Sequence, residues 1–169
     1  LLRDLGSSLA PDNAFAIIQG LETVALRMKQ HCENAEKVVD FLKNHKEVSK
    51  VIYSTEHEKT ISNRAKKYLN GGNGPMVGIE LKGGLEAGKR FIESLKMFYH
   101  VANIGDVRSL AIHPASTTHS QLNENELAAS GVTQSYVRLC IGLEHIDDII
   151  DDLDQALNKS SKGNLKAVS

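Results

Sequence analysis

The feature that most constrains the fold is a helical apolar pattern that extends from Asn13 to about Lys43. Apolar and small residues recur there in steps of four and three, which places them on one stripe of an α-helix: Ala14, Ile18, Leu21, Ala25, Met28, Cys32, Ala35, Val39 and Leu42. A helix of this length would span roughly 45 Å. Pro11 precedes the pattern, and Asp12 or Asn13 can cap it. The sequence therefore predicts one long helix near the start of the chain.

Such a helix could pair with a second copy as a coiled coil. The stripe, however, has Ala and Cys at several positions where two-stranded coiled coils prefer Ile and Leu. Small residues favour close packing on a neighbouring layer of structure. We therefore expect the long helix to lie against the rest of the fold.

Short strands and short helices alternate along the rest of the chain. Apolar alternation predicts strands at 48–53, 76–82, 108–112 and 136–142. Amphipathic spacing predicts helices at 61–69, 85–99, 123–130 and 145–157. In the third of these helices Asn123 is the expected N-cap, and Glu126 can bond back to it in a capping box. Gly131 is expected to close the same helix.

This order of elements predicts a two-layer α/β fold, in which helices cover one face of a four-stranded, mainly antiparallel sheet. The other face carries polar or small residues, which suits docking against another domain or lining a site. We divide the chain into an N-terminal segment with the long helix (1–46), an α/β domain (47–158) and a polar tail (159–169).

Composition excludes several classes of protein. The net charge is −1 and no basic stripe is present, so we expect no nucleic-acid partner. No apolar run is long enough to span a membrane, and we expect no membrane partner and no secretory leader. The two cysteines, Cys32 and Cys140, are far apart in the sequence and form no metal or disulfide motif. We therefore expect a protein of a reducing compartment, the cytoplasm.

Arg138 is the main candidate for a binding residue. Alternation along its strand puts Val137 and Leu139 on the helix-covered face, with Arg138 and Cys140 opposite. A guanidinium that is fixed on a strand presents a planar pair of donors suited to a carboxylate. An ordinary solvated arginine is the alternative interpretation of the same pattern.

Three other features carry less chemistry. His113 and His119 do not have the spacing of a common zinc motif, so we predict no metal site and interpret both as structural. The glycine-rich stretch 71–74 follows a helix and precedes a strand, which is the wrong order for a phosphate cradle and indicates a turn. Cys140 has no adjacent base in the sequence, which argues against nucleophilic catalysis.

Three stretches of the chain resemble one enzyme family: GLETVALRM (20–28), ANIGDVRSLAIHPASTTHSQL (102–122) and ASGVTQSYVRLCIGLEHIDDIIDDLDQAL (129–157). They are similar to the C-terminal portion of the cystathionine γ-synthase-like enzymes of cysteine and methionine metabolism, which depend on pyridoxal 5′-phosphate (PLP). The O-acetylhomoserine sulfhydrylase branch is the most similar, because Asn103 stands where other branches have a serine. The resemblance covers nearly all of the chain before residue 159.

The resemblance implies the two-layer C-terminal domain of fold-type I PLP-dependent transferases, and it also implies roles for three residues. Arg138 would bind the α-carboxylate of the amino-acid substrate. Asn103 would add a second contact, through its backbone N–H in place of the serine hydroxyl, and Thr118 of the HPASxTH motif would lie beside the site. The resemblance places the PLP-binding lysine, the aspartate at the pyridine nitrogen and the phosphate-binding turn upstream of this chain. We therefore expect no catalytic and no cofactor-binding residue in it.

The family's activity, as the resemblance implies it, is γ-replacement on O-acetylhomoserine by sulfide or a thiol, in a homotetramer, which gives homocysteine or methionine. By this analogy the chain alone would be inactive and would hold no covalently bound PLP. Two sister activities, methionine γ-lyase and cystathionine γ-synthase, remain open. So does a different class, a non-catalytic small-molecule-binding or interaction domain with the same fold.

Overall fold

The computed structural model describes residues 2–56 and 59–161. The helices within these ranges are α1 Leu2–Leu5, α2 Pro11–Glu22, α3 Val24–Lys43, α4 Lys59–Tyr68, α5 Gly84–Ser94, α6 Glu124–Ala129 and α7 Ile146–Ser160. The strands are β1 Val48–Ile52, β2 Met76–Leu81, β3 Tyr99–His100, β4 Leu110–Ile112 and β5 Tyr136–Cys140. A 3₁₀ turn, Pro114–Ser116, follows β4. Most of the predicted tail, residues 162–169, lies outside the described residues, and α7 includes the first two residues of that tail.

The strands form one sheet in the order β1-β2-β5-β4-β3. Every neighbouring pair is antiparallel except β3–β4, which is parallel. The sheet therefore has five strands rather than the predicted four. The additional strand, Tyr99–His100, falls at the end of the helix that the sequence predicted over 85–99.

That predicted helix ends early because a buried carboxylate binds the backbone that would continue it. α5 ends at Ser94, and Leu95 is already extended. The N–H groups of Lys96 and Met97 donate to Asp152 of α7 at 2.9 and 2.8 Å. N–H groups that are bonded to a side chain are not available to a helix, so the chain turns here and enters β3.

The predicted long helix is wrong in one respect: it is two helices that meet at Thr23. The backbone leaves helical geometry there (φ −111°, ψ 8°), and α3 begins at Val24. The Arg27 guanidinium donates to the Thr23 hydroxyl and, at 2.8 Å, to the Gly20 carbonyl, a group that a continuous helix would pair internally. Gly and β-branched residues are also weak helix formers.

The apolar stripe of this segment is buried only in its second half. Cys32 and Leu42 of α3 lie in the interior, but Ile18 and Leu21 of α2 are 54% and 60% exposed. Nor does a side chain cap the start of α2: Pro11 is its first residue and Ala10 its N-cap. The capping box of α6, by contrast, forms as predicted from Asn123 and Glu126.

The hydrophobic core lies between one face of the sheet and three helices, as predicted. The strands contribute Val77, Ile79, Leu81, Ala111, Val137 and Leu139. Helices α3, α5 and α7 cover these residues with Ala35, Val38, Val39, Leu42, Ala87, Phe91, Ile92, Ile149, Leu153, Ala156 and Leu157. No helix in the described part of the chain is long and apolar enough to cross a bilayer.

Helix α3 is tied to the segment that follows β5. The ring of His31 donates from Nδ1 to the Ile141 carbonyl at 2.7 Å. Asn34 donates from Nδ2 to the carbonyls of Gly142 and Glu144, both at 3.0 Å. Each of these side chains is buried. The contacts fix the C-terminal end of β5 against α3, and β5 is the strand that carries Arg138.

Candidate functional site

Arg138 lies in the middle of the sheet, on the strand between β2 and β4. It pairs with Gly78 on one side and Ile112 on the other. Its neighbours Val137 and Leu139 are buried in the core, so the Arg138 side chain leaves on the opposite face, as alternation predicts. A central strand that is hydrogen-bonded on both sides is a rigid support for a binding residue.

The opposite face is less polar than the sequence suggested. Leu110 and Ile112 of β4 pair with Cys140 and Arg138, and paired residues project to the same face. Both are almost fully buried, at 1% and 5% exposure. Arg138 therefore stands at the edge of an apolar strip rather than on an open polar surface.

Not all of the hydrogen-bond donors of the Arg138 guanidinium have a partner among the described residues. Nη2 donates to the backbone carbonyl of Asn103 at 3.2 Å. Nε is buried, and no hydrogen-bond partner for it is present among the residues that the structure describes. A buried N–H without a partner costs free energy unless a ligand binds it. The arrangement is therefore suited to receiving an acceptor such as a carboxylate.

Asn103 meets Arg138 through its backbone and not through its side chain. It belongs to the loop 101–109 between β3 and β4, and its carbonyl accepts from the guanidinium and from the Cys140 thiol, the latter at 3.7 Å. The structure thus brings two of the expected site residues together. The contact is a carbonyl–guanidinium hydrogen bond, which orients Arg138 itself.

The loop that carries Asn103 is braced by Asp106, Arg108 and Tyr99. The Arg108 backbone N–H and its Nε both donate to Asp106 Oδ1, at 3.0 and 3.2 Å. The hydrogen bonds from Arg108 lower the pKa of the Asp106 carboxyl. The same guanidinium lies 4.4 Å above the centre of the Tyr99 ring. These contacts hold the second half of the loop against β3.

Thr118 is paired with its neighbour in the chain and not with Arg138. Its exposed hydroxyl lies 2.8 Å from His119 Nδ1, in the turn that follows the 3₁₀ segment. This third expected site residue is therefore not part of the Arg138–Asn103 pair.

His113 is fully buried and uses both ring nitrogens. Nε2 donates to the Gln134 carbonyl at 2.8 Å, so Nδ1 accepts from the Ser116 hydroxyl at 2.8 Å. Burial lowers the pKa of the ring below its usual range. A neutral histidine with both nitrogens occupied joins two segments of the fold, which agrees with the structural role we expected.

The two cysteines are free and buried. Burial raises the pKa of the Cys140 thiol, which disfavours the reactive thiolate. Within the described ranges, no group of three His, Cys, Asp or Glu side chains is placed to bind a metal ion.

Sequence reasoning missed Tyr136. It lies two residues before Arg138 and on the same face, so alternation alone could have identified it. A cavity of ≈ 230 Å³ has both residues in its wall, together with Ile52, Tyr53, Ser54, Asn73, Met76, Val77 and Gly78. Drug-sized ligands occupy roughly 300–1,000 Å³, so this cavity suits a smaller molecule.

The described residues do not fit PLP itself. A lysine that binds the PLP aldehyde must lose its proton, and burial is the usual way to achieve this. No lysine in the described part of the chain is buried. The hydrogen bond to Glu56 raises the pKa of Lys43, which is the wrong direction. The Arg138 region fits a carboxylate ligand instead.

The chain belongs to a family of PLP-dependent enzymes. The matching family model is described as Cys/Met metabolism PLP-dependent enzyme, and it covers residues 1–158. This confirms the resemblance that the sequence motifs indicated.

Two individual members of the family illustrate how similar this chain is to its relatives. An O-acetyl-L-homoserine sulfhydrylase from Leptospira meyeri is 50% identical over 157 residues, which are 92% of this chain and 36% of that protein. An L-methionine gamma-lyase from Fusobacterium nucleatum subsp. polymorphum is 43% identical over 159 residues, 94% of this chain and 40% of that protein. The chain therefore spans little more than a third of the length of these relatives.

A solved structure agrees with the fold. It is a putative O-acetylhomoserine (thiol)-lyase from Campylobacter jejuni subsp. jejuni with N′-pyridoxyl-lysine-5′-monophosphate. The TM-score is 0.82 at 47% identity, over 93% of this chain and 37% of that one. The predicted α/β class of the fold-type I transferases is confirmed.

Proposed function

We propose that this chain is the C-terminal segment of an O-acetylhomoserine sulfhydrylase, and that Arg138 binds the α-carboxylate of its substrate. The observation that carries the proposal is the buried Arg138 Nε, which has no partner among the described residues although the strand holds it rigidly. A guanidinium with unused donors beside a small cavity is suited to a carboxylate.

In the full-length enzyme that we propose, PLP would be held by residues outside this chain and would supply the electron sink for γ-replacement. The residues of this chain contribute positioning. Arg138 would fix the carboxylate by two parallel N–H···O bonds, while the Asn103 carbonyl holds one edge of the guanidinium. Orientation of this kind lowers the entropic part of the barrier and requires no proton transfer from these residues.

The same proposal covers the organisation of the whole protein. Residues 1–46 would link the α/β domain, residues 47–158, to a PLP-binding domain that holds the lysine and the phosphate-binding turn. The exposed apolar side chains of α2 would then face other parts of a homotetramer. The chain alone would be inactive.

A sister activity on the same scaffold is the second candidate. Relatives named sulfhydrylases include proteins 50%, 49% and 42% identical to this chain, and a methionine gamma-lyase is 43% identical. Asn103, which stands where other branches of the family have a serine, favours γ-replacement over γ-elimination. The same residue favours the sulfhydrylase over a cystathionine γ-synthase.

The test uses the full-length protein that contains this chain, loaded with PLP. We expect homocysteine to form from O-acetyl-L-homoserine only when sulfide is added. Release of methanethiol from L-methionine without homocysteine synthesis would assign the protein to the lyases instead. Neither activity, in a protein that has bound PLP, would favour a non-catalytic role.

A further inference from the structure

Tyr136 and Gly78 form a pair beside Arg138. Tyr136 and Arg138 are two residues apart on β5, and Gly78 of β2 is the direct partner of Arg138 across the ladder. Directly paired Cα atoms lie about 4.5–5.5 Å apart. Whatever lies over Gly78 therefore lies beside the base of the Arg138 side chain.

The Tyr136 ring occupies the space that a side chain at Gly78 would fill. A Cβ built on Gly78 would stand 2.7 Å from Tyr136 Cε2 and 2.9 Å from its hydroxyl oxygen. The hydroxyl end of the ring, and not only its base, therefore lies over Gly78. Only glycine at this position allows the ring to lean across β2 towards the Arg138 side of the cavity.

The Tyr136 hydroxyl is an unused donor in this cavity. Among the described residues it has no hydrogen-bond partner, whereas the neighbouring polar groups are occupied. Tyr53 donates to the Gly74 carbonyl at 2.8 Å, and Ser54 donates to Asn73 Oδ1 at 3.1 Å. Burial raises the pKa of Tyr136, which keeps its proton in place.

We propose that the Tyr136 hydroxyl donates a hydrogen bond to the same carboxylate that Arg138 binds, and that Gly78 is the residue that admits the ring to this position. A carboxylate accepts about four hydrogen bonds, so the two from a guanidinium leave room for a phenol. The inference rests on the proposed function, because it names a second contact to the substrate carboxylate. Tyr136 would be a substrate-binding residue that takes no part in proton transfer.

The first test is Tyr136→Phe in the PLP-loaded full-length protein, which removes the hydroxyl and keeps the ring. We expect KM for O-acetyl-L-homoserine to rise about tenfold, with kcat within a factor of about two, because a carboxylate is bound alike in the ground and transition states. The urea midpoint and the PLP content should not change. Tyr68→Phe is the matched control, since Tyr68 is 70% exposed on α4.

The second test uses the contact with Gly78. Gly78→Ala should raise KM as much as Tyr136→Ala does, because the new methyl group displaces the ring. The double variant G78A/Y136A should be no worse than Tyr136→Ala alone, since the methyl group then has no ring to displace.

The results of these tests distinguish a failure of the role inferred for Tyr136 from a failure of the proposed function. An unchanged KM for Tyr136→Phe, together with a raised KM for Arg138→Ala, overturns the role of Tyr136 and leaves the proposed function intact. A KM unchanged in both variants overturns the proposed function itself. A lower urea midpoint for Tyr136→Phe at unchanged KM shows a structural residue and also overturns the inference.

Discussion

The ring of His113 lies directly against the backbone of Gly88, since a Cβ on Gly88 would stand 2.3 Å from His113 Nε2. Helix α5 and the end of β4 thus meet with no space for one methyl group. We expect Gly88→Ala to lower the free energy of unfolding by about 1–3 kcal/mol, although alanine is the better helix former.

Urea unfolding of the chain measures this effect, and Gly20→Ala is its control. Gly20 is also helical, but nothing lies within 4 Å of a Cβ at that position. Gly20→Ala should cause no loss of stability. Equal stability of the two variants would mean that α5 can move away from His113 without cost.

The lowered pKa of His113 predicts a stability that depends on pH. The unfolded ring titrates near 6.5, and burial moves the folded pKa below that value. The unfolded chain therefore binds the proton more readily than the folded chain does. The contribution of neutral His113 to the free energy of unfolding is fully present above about pH 6.5, and it is lost as the pH falls towards the folded pKa. The free energy of unfolding, measured from pH 8 to 5, should show a smaller decrease in His113→Gln.

Asp152 should be among the costliest single residues to replace. Its carboxylate accepts from the backbone of Lys96, Met97 and Phe98 at 2.8–3.3 Å. Asp152→Ala would leave these backbone donors without their partner beside a buried side chain, so we expect a loss of roughly 2–4 kcal/mol in unfolding free energy. The neighbouring Asp151 is exposed, and Asp151→Ala should stay within about 0.5 kcal/mol of wild type. Comparable losses in both variants would contradict the assigned contacts.

Arg138 should determine how tightly the full-length protein binds its substrate. Arg138→Ala should lower kcat/KM for O-acetyl-L-homoserine about tenfold to a hundredfold, which corresponds to roughly 1.5–3 kcal/mol, mostly through KM. Arg138→Lys should recover only part of this, because it keeps the charge and loses the planar fork. Asn103→Ala should have a smaller effect, since the carbonyl that contacts Arg138 remains. A change of less than about twofold for Arg138→Ala would make it an ordinary surface residue.

The chain of 169 residues should not retain PLP. No described lysine is buried, so no amine is favoured as a partner for the cofactor aldehyde. Incubation with PLP, removal of free cofactor and a visible spectrum provide the measurement. A stoichiometric absorption band that maps to one lysine would contradict the prediction.

Much of the fold was predictable because its signals are local. The alternation of β5 and the capping box at Asn123 depend only on nearby residues. The break at Thr23 was not predictable from periodicity, because the apolar stripe continues across it although only the part in α3 is buried. Strand β3 has two residues, too few for an alternating pattern, and forms because Asp152 ends the preceding helix from another part of the chain.

In the candidate site, too, some features follow from local sequence signals and others depend on distant parts of the chain. The face on which Arg138 lies follows from strand geometry, and Tyr136 shares that face by the same rule. That Gly78 lies opposite them depends on the pairing of β2 with β5, which are more than fifty residues apart in the chain and so leave no local signal. The Asn103 carbonyl reaches Arg138 through a loop conformation, which residue types alone do not specify.

Strand β5 is the last of the described strands along the chain and the middle strand of the sheet. During synthesis, β1–β2 and β3–β4 can therefore form only as two separate halves until residue 140 has left the ribosome. Until then β2 and β4 each expose an unpaired edge, the kind of surface that joins other chains. These two edges, between which the strand with Arg138 is inserted last, are therefore exposed to aggregation for the longest time. A chain that terminates before Tyr136 lacks β5, and the edges of β2 and β4 then stay unpaired.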